Sequence, residues 1–148
     1  MAAEIVRVTT EEQLQIGLDI RTKVFVEEQQ VPAEEEIDEY DVVGCNAHHI
    51  LLMDEGIAVA TGRLIYYKAG AAKMQRVAVL KDYRSKGYGR VLLLALEEMA
   101  RELGLENSIL DGQCQAEPFY TKLGYEVIST EPFYDAGILH VRMQKDLK

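Results

Sequence analysis

Residues 76–100, "RVAVLKDYRSKGYGRVLLLALEEMA", change character twice. "RVAVL" (76–80) is an apolar run of strand length. Leu92, Ala95, Leu96, Met99 and, just beyond, Leu103 recur at helical spacing, and Gly104 sits where a helix ends in a left-handed residue. Between the two, Lys81, Arg84, Lys86 and Arg90 stand against Asp82 alone, a local charge of +3 in a chain of net charge −9. A helix beginning near Gly87 offers backbone N–H groups without intrahelical partners and the positive end of its dipole. Gly87 and Gly89 let a ligand approach the main chain closely. The corner therefore suits a phosphate or pyrophosphate. Taken alone, the stretch fits a tight turn with solvated cations equally well. It is neither a P-loop, which needs G-x-x-x-x-G-K-[ST], nor G-x-G-x-x-G, whose third glycine would fall on Leu92.

Working outward, "EIVRVT" (4–9) alternates like a first strand, and Thr10 with Gln13 forms a capping box that opens a helix. Leu14, Leu18, Arg21 and Phe25 continue its stripe to about Val26, and Pro32 ends any continuation. Residues 27–41 hold eight acidic side chains and no basic one, which predicts an acidic loop. "HHILLMD" (48–54) and "IAVATGRLIYY" (57–67) form a hairpin about Glu55-Gly56, and "KMQRVAVL" (73–80) follows Gly70. After the central helix come a strand "NSILD" (107–111), a short helix "EPFYTKLG" (117–124) with Pro118 near its start, and strands "YEVIST" (125–130) and "ILHVRMQ" (138–144). This order predicts one α/β domain over residues 1–148, with a mixed and mostly antiparallel sheet.

Composition narrows the function. A charge of −9 disfavours nucleic acid and anionic membranes, and no apolar run reaches the roughly 20 residues of a membrane helix. The first residues do not resemble a signal peptide, so a cytoplasmic location with Cys45 and Cys114 as reduced thiols is expected. Three histidines and two cysteines give no metal-ligand spacing, so no metal is expected.

The stretch 76–100 resembles the central motif of the GNAT N-acetyltransferase superfamily: a strand, Arg/Gln-x-x-Gly-x-Gly/Ala, then a helix, with Arg84, Gly87 and Gly89 at the marked positions. "EPFYTKLGYEV" (117–127) resembles that family's second marker. "VFVEEQQVPAEEEIDEYD" (24–41) and "DAGILHVRMQK" (135–145) are similar to a subgroup of small bacterial members. The resemblance implies a sheet whose central strands, "QRVAVL" and "NSILD", splay apart, flanked by helices, with acetyl-CoA as co-substrate in the opening. Main-chain groups of Val77, Ala78 and Val79 would pair with its pantetheine arm. Amides of Ser85, Lys86, Gly87, Tyr88, Gly89 and Arg90 would hold the pyrophosphate beside Arg84, and Gln113 and Phe119 would line the arm's far side.

Direct acetyl transfer to a primary amine, on a small molecule or an exposed peptide, is the implied reaction. A lysine-like amine of pKa about 10.4 loses its proton at pH 7 at a cost of about 4.6 kcal/mol. A base therefore matters. Relatives carry a glutamate just before the position of Arg76; here it is Gln75, which accepts no proton. Glu35, Glu36, Asp38, His140 or a water held by Gln75 are the candidates. Tyr120 matches the family's tyrosine beside the cofactor sulfur and is the candidate proton donor to the departing thiolate. Carboxylates of the acidic loop (Glu35, Glu36, Asp38) and Gln75 are candidates for drawing in an ammonium substrate, although acidic loops are commonly solvated surface. Cys114 lacks a histidine near it in sequence, which favours direct transfer over a covalent route. A homodimer through the last strands is compatible with the pattern, which does not demand one. The loss of the strand carboxylate leaves a second reading: a silent acyl-CoA-binding sensor or partner module.

Overall fold

The computed structural model describes residues 3–44 and 46–148. Cys45, one of the two thiols, lies outside the described residues. Eight strands form one sheet in the order β1-β2-β3-β4-β5-β8-β6, with β7 also pairing with β8. They are β1 (Ala3–Arg7), β2 (Ala47–Asp54), β3 (Ile57–Lys68), β4 (Ala71–Val79), β5 (Asn107–Gln113), β6 (Glu126–Val127), β7 (Phe133–Asp135) and β8 (Ile138–Asp146). Every pairing is antiparallel except β4 with β5. The mixed, mostly antiparallel α/β sheet expected from the sequence is therefore present.

Two helices cover its faces. α1 (Glu11–Arg21) starts at the Thr10 capping box, in which Thr10 accepts from the Gln13 N–H and Gln13 from the Thr10 N–H. α3 (Tyr88–Glu102) starts at Gly87 and ends before Gly104. Neighbouring residues on β3 face opposite ways. Thr61 lies against Gly17 of α1, while Gly62 lies against Leu96 of α3, so the helices sit on opposite sides. Leu92, Leu93 and Leu96 of α3 are sealed against Ile50, Leu52, Leu64 and Met143 of the sheet. At roughly 1.5–3 kcal/mol per buried aliphatic side chain, this layer holds the central helix and its N-terminus in place.

Several expectations shift. α1 continues as a π-helical stretch, Thr22–Glu28, and its buried stripe is Leu14, Gly17, Ile20, Arg21 and Val24 rather than the expected Leu18 and Phe25, which are half-buried. The acidic segment is not simply a loop: it contains the single-turn helix α2 (Ala33–Glu36) and folds inward. "YEVIST" supplies only the two residues of β6, and Phe133–Asp135 adds a strand, β7, that the sequence does not announce because Pro132 precedes it.

Candidate active site

The parallel ladder between β4 and β5 runs from Ala71↔Asn107 to Met74↔Leu110 and stops. Beyond it β4 continues to Val79 beside β3, and β5 continues to Gln113 beside β8. The two strands thus part, and residues 75–79 present a β4 edge with no strand partner among the described residues. A cleft of about 380 Å³ occupies this opening. Gln75, Arg76, Val77, Gln113, Tyr120 and His140 are among its lining residues, with Glu35 and Glu36 at the side and Asp135 and Ala136 from the β7–β8 turn.

On the β3 side, Thr61 pairs with Ala78 and Arg63 with Gln75, so Arg76 and Val77 together oppose Gly62. This is a β-bulge, with Arg76 in the left-handed region at φ 56°. A Cβ on Gly62 would stand 3.2 Å from Leu96 and 3.4 Å from Val77, so glycine lets α3 and the bulge close over it. The bulge breaks the regular ladder at the fork of β4 and β5.

At the other end of β4, a 3₁₀ turn (Lys81–Tyr83) leads into the glycine corner. Ser85 (φ 69°) and Gly87 (φ 82°) are both left-handed, and a Cβ on Gly87 would meet nothing within 4 Å, so the approach there is open. Arg84 does not reach over the corner. Its guanidinium pairs with Glu28 at 2.8 Å and 3.0 Å, and its Nε donates to the Val79 carbonyl. Arg84 accordingly ties the π-helical segment to the turn. Lys86 lies over the Tyr83 ring, and the Tyr88 hydroxyl donates to Asp54. Phe119 sits beside Gly89, 3.5 Å from where a Cβ would stand.

Tyr120 comes from α4 (Glu117–Lys122), and its ring lies against Gly112 of β5: a Cβ there would be 2.8 Å and 2.9 Å from two ring carbons. Phe119 and Tyr125 pack edge-on against it at 5.1 Å and 6.3 Å. Tyr125 is itself fixed, donating to Glu97 and accepting from Ser108. Burial pushes the Tyr120 phenol pKa up, which keeps its proton in place near neutrality. His140 of β8 lies beside Gln113 of β5 in the antiparallel ladder and lines the same cleft. Its Nδ1 donates to the Ile138 carbonyl at 2.7 Å, so Nε2 is the acceptor nitrogen, and the ring stacks on Phe133.

The acidic segment supplies the principal correction. Glu36, Asp38 and Asp41 do not form a free electronegative mouth; they neutralise three arginines inside the fold. Arg21 and Arg63, at 2% and 1% exposure, are buried charges that need partners. Arg21 donates to Glu36 at 2.6 Å and to Asp41 at 2.6 Å and 3.0 Å. Arg63 donates to Asp38 at 2.8 Å and 2.7 Å, to Asp41 at 3.0 Å and twice to Gln75 Oε1. Burial opposes the charge on Asp38, yet the bonds and charge of Arg63 bring its pKa down to about 2. Of the substrate-side candidates, Glu35 and Glu36 reach the cleft wall, Asp38 turns to Arg63, and Gln75 spends its carbonyl on the same arginine, leaving the amide N–H₂ for the cleft. Glu35 and Asp135 form no ion pair among the described residues, so the charge left for an ammonium ion stands at the rim.

The structure thus brings Tyr120, His140, Gln75, Val77 and Gln113 to one cleft. Ala78 is buried against Ile20 and Val24, and Val79 and residues 84–90 follow it in the chain, from the end of β4 to the first turn of α3, outside the cleft lining. Cys114 is half-buried at the end of β5 and is not part of the cleft lining. Nothing in the sequence pattern marks Gly112 or the arginine network, although Arg63 inside the apolar run "VATGRLIYY" is a charge that a strand interior must pair. Among the described residues there is no metal-binding cluster and no helix long and apolar enough to cross a membrane.

Parted central strands, a bulge at the fork and a left-handed glycine opening the following helix define an acyltransferase of the GNAT type. The chain belongs to that family: the acetyltransferase (GNAT) domain model matches residues 6–147. It is 46% identical over 136 residues to the uncharacterized N-acetyltransferase YjcF of Bacillus subtilis, covering 92% of this chain and 94% of that protein. It is 43% identical over 143 residues to protein YyaT of the same organism, covering 97% and 95%. Among solved structures, an acyl-CoA N-acyltransferase from Pseudomonas aeruginosa superposes with a TM-score of 0.86 at 27% identity, covering 97% of this chain and 99% of that one.

Proposed function

We propose that this acetyltransferase uses acetyl-CoA and moves the acetyl group directly to a primary amine. The observation that carries the reading is the unpaired β4 edge, residues 75–79, running from a cleft that holds Tyr120 and His140 to the open glycine corner. An extended pantetheine arm fits such an edge as an added strand, through main-chain groups of Val77 to Val79. A pyrophosphate suits the left-handed turn of Ser85 and Gly87 at the start of α3. There Arg90, Lys86 and Lys81 supply charge, whereas Arg84 holds the turn through Glu28.

Acetyl-CoA, when bound, supplies the acetyl group as a thioester. The chain's own residues then divide the work. The bulge at Arg76–Val77 aims a main-chain donor at the carbonyl oxygen, where negative charge grows as the amine attacks. His140 Nε2 accepts the amine proton, directly or through one water. Tyr120 gives its proton to the sulfur as the carbon–sulfur bond breaks. In water, proton transfer from a phenol near pKa 10 to a thiolate near 8.5 is unfavourable by roughly 2 kcal/mol; burial raises the Tyr120 pKa too, so a dry site narrows that gap only by raising the thiolate's basicity further than the phenol's.

The test is Tyr120→Phe, which keeps the ring against Gly112. Thiol release on amine addition should fall by about 10²-fold or more, while acetyl-CoA affinity changes little. Full turnover would remove Tyr120 from the chemistry.

A further inference from the structure

The three arginines of the inner network are unequally served. Every nitrogen of Arg21 and Arg63 donates at least one hydrogen bond, most of them of 3.0 Å or less. Arg76 makes one, from Nη2 to the Glu36 carbonyl, at 3.3 Å. Its Nε is buried without a hydrogen-bond partner: Glu36 Oε2 lies 3.3 Å away, outside bonding geometry, and is held by Arg21 at 2.6 Å. Its contact with Asp38, 3.5 Å, is to an oxygen that Arg63 holds at 2.7 Å. Nη1 donates to no protein atom among the described residues. Three guanidinium groups face three carboxylates, and the short bonds go to the other two, so Arg76 keeps the unused share of hydrogen-bond donors. Burial, with Arg63 and Arg21 nearby, works against the charge on Arg76 and lowers its pKa despite Glu36 and Asp38.

Its backbone carries a cost as well. A left-handed arginine is disfavoured by about 1–2 kcal/mol, and such residues persist where the surroundings enforce them, often at ligand sites. The bulge has a visible effect: Gln75 and Arg76, adjacent in sequence, both serve the same network and both line the cleft. Gln75 Oε1 is fixed by Arg63, so its N–H₂ and the remaining donors of the Arg76 guanidinium, whose side chain is 26% exposed, are neighbours on the cleft lining.

We propose that Arg76, with the Gln75 amide, binds an anionic oxyacid group of the acceptor, a carboxylate or a phosphate, so that the substrate is an amine that also bears an acid. The inference rests on the reading of this cleft as the acceptor site. The acid docks at Arg76, and the amine points toward His140, with the unpaired carboxylates Glu35 and Asp135 at the rim to receive its ammonium form.

Calorimetric titration of the coenzyme A-saturated protein with matched probes tests this: 4-aminobutyrate against butylamine, and O-phosphoethanolamine against ethanolamine. The acid-bearing member of at least one pair should bind about tenfold or more tightly than the amine that lacks the acid. Which pair responds tells carboxylate from phosphate. Arg76→Gln should erase the preference and Arg76→Lys retain part of it, with coenzyme A affinity and melting temperature reporting an intact fold. Equal or tighter binding of the amines without an acid overturns the proposal. So does a preference that survives Arg76→Gln, or absence of binding by both acid-bearing probes at millimolar concentration in protein that binds coenzyme A. Failure of the wild-type protein to bind coenzyme A overturns this proposal and the function proposed above together.

Discussion

Gly112→Ala adds one methyl group where the Tyr120 ring rests. The glycine has no positive φ, so its backbone accepts alanine and the effect isolates the contact. The new Cβ would stand 2.8 Å and 2.9 Å from two ring carbons and 3.3 Å from a Leu110 methyl. Carbon–carbon contacts are comfortable from about 3.5 Å, so the ring must retreat by roughly 0.7 Å. Tyr125 stands behind it, anchored to Ser108 and Glu97, so the retreat is resisted. Overpacking of this kind costs about 1–3 kcal/mol of stability. A misplacement of about 1 Å in a reacting group can cost about 10²-fold in rate, so a fall in turnover of roughly ten- to a hundredfold is expected. Thiol release gives the rate and calorimetry the acetyl-CoA affinity, which should stay within about threefold, well below one decade of binding energy. In a Tyr120→Phe background the alanine should add little further loss, because both changes act on the same hydroxyl. Undiminished turnover in Gly112→Ala, or losses that simply multiply in the double variant, would refute the reasoning.

Glu36→Gln leaves the buried Arg21 with one carboxylate, Asp41, beside the main-chain carbonyl of residue 36; we expect a loss of about 3 kcal/mol, or roughly 10 °C in Tm, read by thermal unfolding, and an unchanged Tm would contradict the network's role. Asp38 has a folded pKa of about 2, below its ordinary 3.8, so its contribution is present above about pH 4 and fades as pH falls through about 2. With its side chain 25% exposed and screened, that contribution is about 1 kcal/mol, and Asp38→Asn should flatten this part of the stability–pH curve; an identical acid profile in the variant would show the pair to be idle. Gly87→Glu puts a side chain at φ 82° and a negative charge in the corner, and acetyl-CoA affinity should drop by more than about tenfold. Gly87→Ala shares the backbone strain without the charge, so equal losses in both would point to strain rather than phosphate repulsion.

The strand–turn–helix at residues 76–100 was legible because its period changes twice and because a left-handed turn and a helix end each call for glycine, at Gly87 and Gly104. The Thr10 cap and the two-residue Glu55-Gly56 turn were legible for the same reason: their chemistry is local. The arginine network was not. Arg21, Arg63 and Arg76 meet Glu36, Asp38 and Asp41 across long stretches of chain, and no local rule distinguishes a carboxylate destined for a buried guanidinium from one destined for water. The acidic run therefore looked like one surface, whereas half of its eight carboxylates (Glu28, Glu36, Asp38 and Asp41) are held in ion pairs. Gly112 escaped notice because its reason is a ring from another element. Tyr120 and His140 were named from family resemblance, and their meeting in one cleft follows from the register of β5 with β8, which the sequence does not print.

The central claim is that the fork between β4 and β5 receives acetyl-CoA and delivers its acetyl group to an amine. Calorimetric titration with acetyl-CoA, followed in the same sample by thiol release across a panel of primary amines, tests it most directly. Saturable one-to-one binding is expected, with release of coenzyme A that depends on the amine and rises with pH as the acceptor sheds its proton. Binding without release from any amine would leave a silent acyl-CoA sensor, and no binding at all would contradict the assignment of the cleft.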